Sequence, residues 1–524
     1  MPHSPVVAPA TRRIAVLVAA PGSGLLLALL FAPFGYWPLG WVCLVPLLWA
    51  VAAAKTRLGA TLLGFCAGLV FWVISIPWVV DVMTDYGGMP WPAAVGALLL
   101  LAAYLSLYPA TVAFLVRRPL AKLGPAALFL VPFLWVAGEL LLTHLLTGFP
   151  WNLLGYSQVR FLPAAQIADL AGVYGVSFLL VAVNCAVAFA LLQHPVRSWA
   201  FWRPLIATAI AAAAALAYGY LKLGDDGRDG EPFTVAMVQD DLTNAERMRA
   251  HRDELFLYYW DSTRAAAREG AGAGADMVMW AEGSLLFVDM DPPDGFYEQV
   301  ILALARDEGI WLLIGSNDYT DDYSRVRNAA FSISPDNRGA AAGRYHKVHL
   351  TPFGEYVPYQ WALGWVPQVV MGISDFEAGR ELEPIPLRDG SVGVAICYEI
   401  IFPDLVRRFT ARGAGLLATV SNDAWSGHSA SNDQHFDHAI MRAIENRRYL
   451  VRCAVTGVSG AVAPDGHVLA RTAIYKRDVA YATVAMRAGS TVYMAVGDLF
   501  AYLCAGLALL SLAWLRYTKV PLGW

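Results

Sequence analysis

Eight stretches of this chain stay apolar for about as long as a helix needs to cross a bilayer, and they limit what it can fold into. The runs fall at about 14–32, 37–54, 59–80, 91–116, 125–146, 170–193, 204–222 and 495–515. Each approaches the roughly 20 residues that span a hydrocarbon core. Pro21 and Pro46, inside the first two, are tolerable there because neighbouring helices can satisfy the carbonyls they free. Only 15% of the residues are charged, against about 25% in ordinary soluble proteins, and mean hydropathy is +0.48. The pattern predicts a polytopic α-helical membrane domain of eight spans. Seven lie in residues 1–225 and the eighth in 489–524, with ordinary globular sequence over 226–488 between them.

Basic residues in the short connections predict the orientation. Arg12 and Arg13, Lys55 and Arg57, Arg117, Arg118 and Lys122, Arg197 and Arg203, then Arg516 and Lys519 fall on one side of eight spans, while the opposite short loops hold only Arg160. Both termini are therefore expected in the cytoplasm and the globular domain on the outer face of the membrane. A signal peptide is the competing reading of residues 12–32, and its removal would take away one span without moving the domain.

The net charge of −4 comes with no Lys/Arg cluster interleaved with aromatics, so no nucleic-acid partner is expected. Six cysteines without CxxC spacing indicate neither a disulfide framework nor a zinc site. Cys397 and Cys453 could pair in an oxidising compartment, but pairing would consume a residue better suited to chemistry. His435 and His438, three apart on one predicted helix, have a metal-binding spacing but no evident third ligand, so no metal is expected.

Strand-like and helix-like patterns alternate through the globular region, which makes it α/β. Strands are predicted at 234–239, 277–281, 311–315, 329–333, 392–396, 416–421, 450–456 and 460–463. Helices are predicted at about 244–269, 294–308, 403–412 and 432–447. The run Gly393-Val394-Ala395-Ile396-Cys397-Tyr398-Glu399 ends a buried strand at a thiol, and Pro403 and Asp404 then open a helix. At such a corner a thiol can project into a cleft while backbone N–H groups, beginning with that of Tyr398, receive an oxyanion. On this run alone a buried structural cysteine is the commoner occupant.

Two further stretches change the balance. Met277-Val278-Met279-Trp280-Ala281-Glu282 is a strand ending in a carboxylate, and Gly343-Arg344-Tyr345-His346-Lys347 is an extended run ending in a lysine. A thiol with an ordinary pKa of about 8.5 needs a nearby base and a cation to act at neutral pH, and Glu282 and Lys347 are of those types. Glu, Lys and Cys at three strand ends, in that chain order, resemble the nitrilase (carbon–nitrogen hydrolase) superfamily. That resemblance implies a four-layer α-β-β-α sandwich.

The membrane half carries Phe34-Gly35-Tyr36-Trp37-Pro38, Tyr86-Gly87-Gly88-Met89-Pro90, Gly148-Phe149-Pro150-Trp151-Asn152, Gly155-Tyr156-Ser157-Gln158, residues 168–177 and Asn184. Taken singly, these read as turn residues and interfacial aromatics. Together with the eight spans they resemble the bacterial apolipoprotein N-acyltransferases, in which an outer nitrilase-like domain is carried by such a membrane half. The resemblance implies transfer of a fatty acyl chain from a phospholipid to the α-amino group of an S-diacylglyceryl cysteine on a lipoprotein, without a cofactor. Cys397 would be the nucleophile, Glu282 the base and Lys347 the oxyanion stabiliser, with Glu355 holding Lys347 and Glu282, and Glu399 lining the pocket beside Tyr398.

Between Tyr359 and Met371 the chain is too apolar for an exposed loop and too interrupted for a core helix. It reads either as a buried contact or as an arm in the outer leaflet that uses Trp361, Trp365 and Met371. There are departures from the family pattern at Asp240, Asp241 and Leu142, which bear on the substrate pocket rather than on the three reactive residues. Two other functions remain open on sequence: a membrane-tethered amidase or nitrilase, and a non-catalytic lipid-binding membrane protein.

Overall fold

A computed structural model describes residues 9–193, 198–224, 230–242, 246, 252–269, 272, 274–284, 295–320, 324–363 and 376–517. The chain forms two compact units. One holds residues 1–77, 92–221 and 498–524, and the other holds 78–91 and 222–497. The second unit is larger than the 226–488 expected from composition. Residues beyond 488 are tied into it because Arg407 Nη1 donates to the Met494 carbonyl at 2.8 Å and the Thr491 hydroxyl donates to the Glu445 carbonyl at 2.9 Å. Residues 78–91 join it through Trp78, whose indole N–H donates to Gln434 Oε1 at 3.2 Å.

The first unit is helical. Helices Arg57–Ser75, Ala168–Leu192, Trp199–Lys222 and Leu499–Tyr517, and the helical stretch Trp91–Thr147, are long and apolar enough to cross a membrane. Ile14–Ala28 and Trp37–Ala53 are shorter apolar helices. Small residues let these helices approach closely, as expected where lipid supplies no hydrophobic driving force. A Cβ on Gly64 would come within 2.6 Å of the Pro109 carbonyl oxygen, and one on Gly68 within 2.9 Å of Ser106 Cα. Asn184 is buried but satisfied, accepting from the Leu44 N–H and donating to the Gly40 carbonyl.

Of the aromatic and glycine-rich motifs of this half, 148–152 and 155–158 lie largely inside the unit, whereas Phe34 and Tyr36 are exposed, as interfacial aromatics would be. Trp151, Tyr156 and Gln158 are buried. Phe149 stacks on Trp151, the Gly155 N–H donates to the Ser177 hydroxyl, and Leu154 N–H donates to Glu139 Oε1. Trp151 and Tyr156, which read as belt aromatics, thus line the inner joints of the helices.

The second unit is built on two six-stranded sheets. One is ordered β12-β1-β2-β3-β4-β5, from β1 (Pro232–Gln239), β2 (Met277–Trp280), β3 (Trp311–Tyr319), β4 (Val326–Ile333), β5 (Gly343–His346) and β12 (Asp478–Ala485). The other is ordered β11-β10-β9-β8-β7-β6, from β6 (Ile385–Leu387), β7 (Gly390–Ile396), β8 (Leu416–Ser421), β9 (Leu450–Ala454), β10 (Gly460–Val462) and β11 (Val468–Arg471). β1, β2 and β3 run parallel, as do β7, β8 and β9. Strands covered on both faces should be continuously apolar, and β2, β8 and β9 are buried at every residue.

Helices Arg252–Glu269 and Phe296–Glu308 cover the first sheet, placing Leu255, Tyr259, Ile301 and Leu304 against Val238, Trp280, Leu312 and Ile314. Helix Pro403–Ala411 covers the second, and Gly393 gives it room, since a Cβ there would lie 2.4 Å from Phe409 Cβ. The sheets meet face to face, with the Cys453 thiol on β9 donating to the carbonyls of Val238 and Met279 on the first sheet. Cys397 and Cys453 are both free thiols. The layers are α-β-β-α.

Candidate active site

β5 and β7 run directly into Lys347 and Cys397, and Glu282 follows β2 after Ala281. Lys347 is 1% exposed, and its Nζ lies 2.9 Å from Glu355 Oε2 and 3.6 Å from Glu282 Oε1. Asn328 on β4 joins the two carboxylates, its amide donating to Glu282 Oε1 at 2.6 Å and to Glu355 Oε1 at 2.8 Å. The second Glu282 oxygen accepts from the Asn422 backbone N–H at 2.7 Å, so the carboxylate is held at both ends. Glu355 Oε2 also accepts from the Thr351 N–H, which folds the 347–355 segment back on itself.

Electrostatics suit these groups to proton transfer. Burial pushes the Glu282 carboxyl up, with Lys347 opposing and Glu355 reinforcing, so it is a better base than an exposed glutamate. Burial alone would lower Lys347, but Glu355, Glu282 and Cys397 raise it, so it stays cationic. The Cys397 thiol is also raised, by burial and then by Glu282, against the pull of Lys347. The thiol is therefore held in its protonated form at rest.

Cys397 has φ +49°, an uncommon conformation for a residue with a Cβ and the kind of backbone strain that gathers at functional sites. The next turn, Cys397–Ile401, is closed by Glu399, whose Oε2 accepts from the Ile396 N–H at 2.8 Å. Glu399 Oε1 accepts from the N–H groups of Val348 and His349 and from the Tyr345 hydroxyl. Glu399, expected to line the pocket, is fully buried and ties the Cys397 turn to the loop after Lys347. Burial pushes its carboxyl up to about 7. The Tyr398 ring is also buried, edge-on to Phe402.

Trp361 is 88% exposed; Trp365 and Met371 lie outside the described residues. Sequence reasoning missed Asn328 and Asn422 as partners of Glu282, and Tyr345 as a partner of Glu399. The available signal for Asn328 was a polar residue immediately before the strand predicted at 329–333. Of the histidine pair, His435 is buried and hydrogen-bonded to Asp423 and to the Cys397 carbonyl, and His438 is buried beside it.

Residues 23–186 match the apolipoprotein N-acyltransferase N-terminal domain, and residues 188–492 match the carbon-nitrogen hydrolase family. An apolipoprotein N-acyltransferase of Geobacter metallireducens is 37% identical over 93% of both chains. One from Chromobacterium violaceum is 33% identical over 98% of this chain and 96% of its own. Among solved structures, a nitrilase-superfamily protein of Saccharomyces cerevisiae aligns at 18% identity and TM-score 0.39, over 49% of this chain and 90% of that one. The alignments to the two bacterial relatives run through both halves of the chain. The chain belongs to the apolipoprotein N-acyltransferase family.

Proposed function

We infer that this membrane protein is an acyltransferase that N-acylates lipoproteins, with a phospholipid as donor and the α-amino group of an S-diacylglyceryl cysteine as acceptor. The observation that carries the reading is the meeting of Glu282, Lys347 and Glu355 through Asn328 at the mouth of the strand that ends in Cys397. Glu282 takes the thiol proton as sulfur attacks the ester carbonyl, and Lys347 with the Tyr398 N–H stabilises the oxyanion. Collapse breaks the acyl C–O bond, and the lysolipid oxygen takes the proton from Glu282. In the second half the amine attacks the thioester, Glu282 removes its proton, and the C–S bond breaks to return the thiol.

A covalent relay also avoids bringing two lipids and a base together at once. Lifting an acyl chain of about 15 methylenes into water would cost roughly 12 kcal/mol, so the reaction belongs at the bilayer. The eight apolar runs and the basic-loop asymmetry support eight spans with the catalytic domain on the outer, periplasmic face and both termini in the cytoplasm.

Intact-protein mass spectrometry tests the chemistry. Phospholipid alone is expected to leave an acyl adduct on Cys397, which a lipoprotein acceptor discharges. No adduct on the unaltered protein, or an equal adduct on Cys397→Ala, overturns the assignment. A membrane-tethered amidase would leave acceptor lipoprotein unmodified in the same assay.

A further inference from the structure

Helix Ser431–Asn446 places against the nucleophile a group that the scheme above does not use. His435 Nε2 lies 3.1 Å from the Cys397 carbonyl oxygen, and Nδ1 lies 3.0 Å from both Asp423 Oδ1 and Arg452 Nη2. Arg452 also donates to Asp423 Oδ2, and the Ser421 hydroxyl donates to Asp423 Oδ1 at 2.7 Å. His435, Asp423 and Arg452 are all buried. Gly457 backs closely onto Asp423, since a Cβ there would come 2.0 Å from Oδ2.

The Nε2 proton follows from its partner. A carbonyl oxygen only accepts, so Nε2 carries a proton. Burial, then the Arg452 charge, pushes the imidazole below its ordinary pKa, with Asp423 opposing. Arg452 and His435 hold the Asp423 carboxyl down against its burial. Asp423 therefore anchors Arg452 with one oxygen and flanks Nδ1 of the ring with the other, and the ring's Nε2–H points at the Cys397 carbonyl.

The peptide bond is planar and trans, so pinning the Cys397 carbonyl also fixes the opposite direction of the Tyr398 N–H. A hydrogen bond to the carbonyl polarises the amide and strengthens its N–H as a donor. We propose that His435 is a positioning residue for acyl transfer, aiming and polarising the Tyr398 N–H toward the oxyanion through the Cys397 carbonyl. The proposal rests on the reading of Cys397 as the nucleophile; His435 itself touches neither substrate nor reacting atom.

Two reactions of the same thiol separate this role from simple support of the thiol. Acylation by an ester builds an oxyanion, whereas alkylation by iodoacetamide displaces iodide at a saturated carbon and builds none. His435→Gln and His435→Met have side chains of nearly equal length, but only glutamine keeps an N–H for the carbonyl. Relative to His435→Gln, His435→Met is expected to form the Cys397 thioester at least ~10-fold more slowly, with a little-changed KM for phospholipid. The iodoacetamide rates of the two variants are expected to match. Equal acylation in the two variants overturns the proposal, as does alkylation that falls in step with acylation. An unaltered protein that forms no acyl adduct overturns the nucleophile reading beneath it, and so is told apart from both. One readout needs no variant: in 15N-histidine-labelled protein, His435 is expected to show a protonated Nε2, and an unprotonated Nε2 overturns the proposal.

Discussion

Asn328 donates its side-chain amide to Glu282 at 2.6 Å. A donor to a carboxylate favours its ionised form and so opposes the upward push of burial. Asn328→Ala is expected to raise the Glu282 pKa further. The base form is lost as pH falls through that pKa, so the acidic limb of kcat/KM moves to higher pH. A pH–rate profile for thioester formation checks this; an unmoved limb would mean that Glu282 is not the group titrating.

Glu399 offers a prediction about stability. Its folded pKa, about 7, lies above the ordinary carboxyl value of 4.5. A raised carboxyl contributes stability that is fully present below the unfolded pKa and is lost as pH rises through the folded one. Glu399→Gln cannot titrate, so the advantage of the unaltered protein over the variant should be larger near pH 5 than near pH 8, by up to about 3 kcal/mol. At every pH the variant also turns an amide toward one or more of four donors, at about 1–3 kcal/mol for a donor left unpaired. Denaturation at the two pH values measures both effects, and a gap independent of pH would contradict the first.

Much of this was legible in the sequence, for identifiable reasons. Apolar length marked the helices of the first unit, and largely apolar runs marked β2, β7 and β8, because buried parallel strands have no solvent face to interrupt them. β12 was missed. Asp478–Ala485 lies at a sheet edge with several residues half-exposed, so its apolar signal is diluted. β6 is only three residues long and contains Pro386. The strand ends revealed Glu282, Lys347 and Cys397, but not what holds them. The donors to Glu399 include the backbone N–H groups of Val348 and His349, and a backbone N–H leaves no trace in residue type.

The basic-loop asymmetry makes a topological prediction. A reporter active only outside the cytoplasm is expected to work when inserted within 226–488 and to fail when fused after Lys519. Activity at the C-terminal fusion would contradict the eight-span arrangement.

Trp361 exposes nearly all of its surface to solvent, an expensive arrangement for an indole unless something apolar meets it. Replacing Trp361 and Trp365 together with Glu is expected to reduce acyl transfer from bilayer phospholipid while leaving the melting temperature of the protein unchanged. An unaltered rate on vesicles would mean that this stretch does not engage lipid.

Trp78, far away in sequence among the apolar runs, reaches Gln434, the neighbour of His435, and the stretch around it folds with the sandwich. The catalytic half is therefore not a cassette that can be cut out at its sequence borders. Residues 226–488 expressed alone would lack the Trp78 indole and the Met494 carbonyl that fasten two of its helices. A soluble excised domain would thus be a poor stand-in for inhibitor screening, whereas the detergent-solubilised whole chain keeps the helix that bears Gln434 and His435 in place.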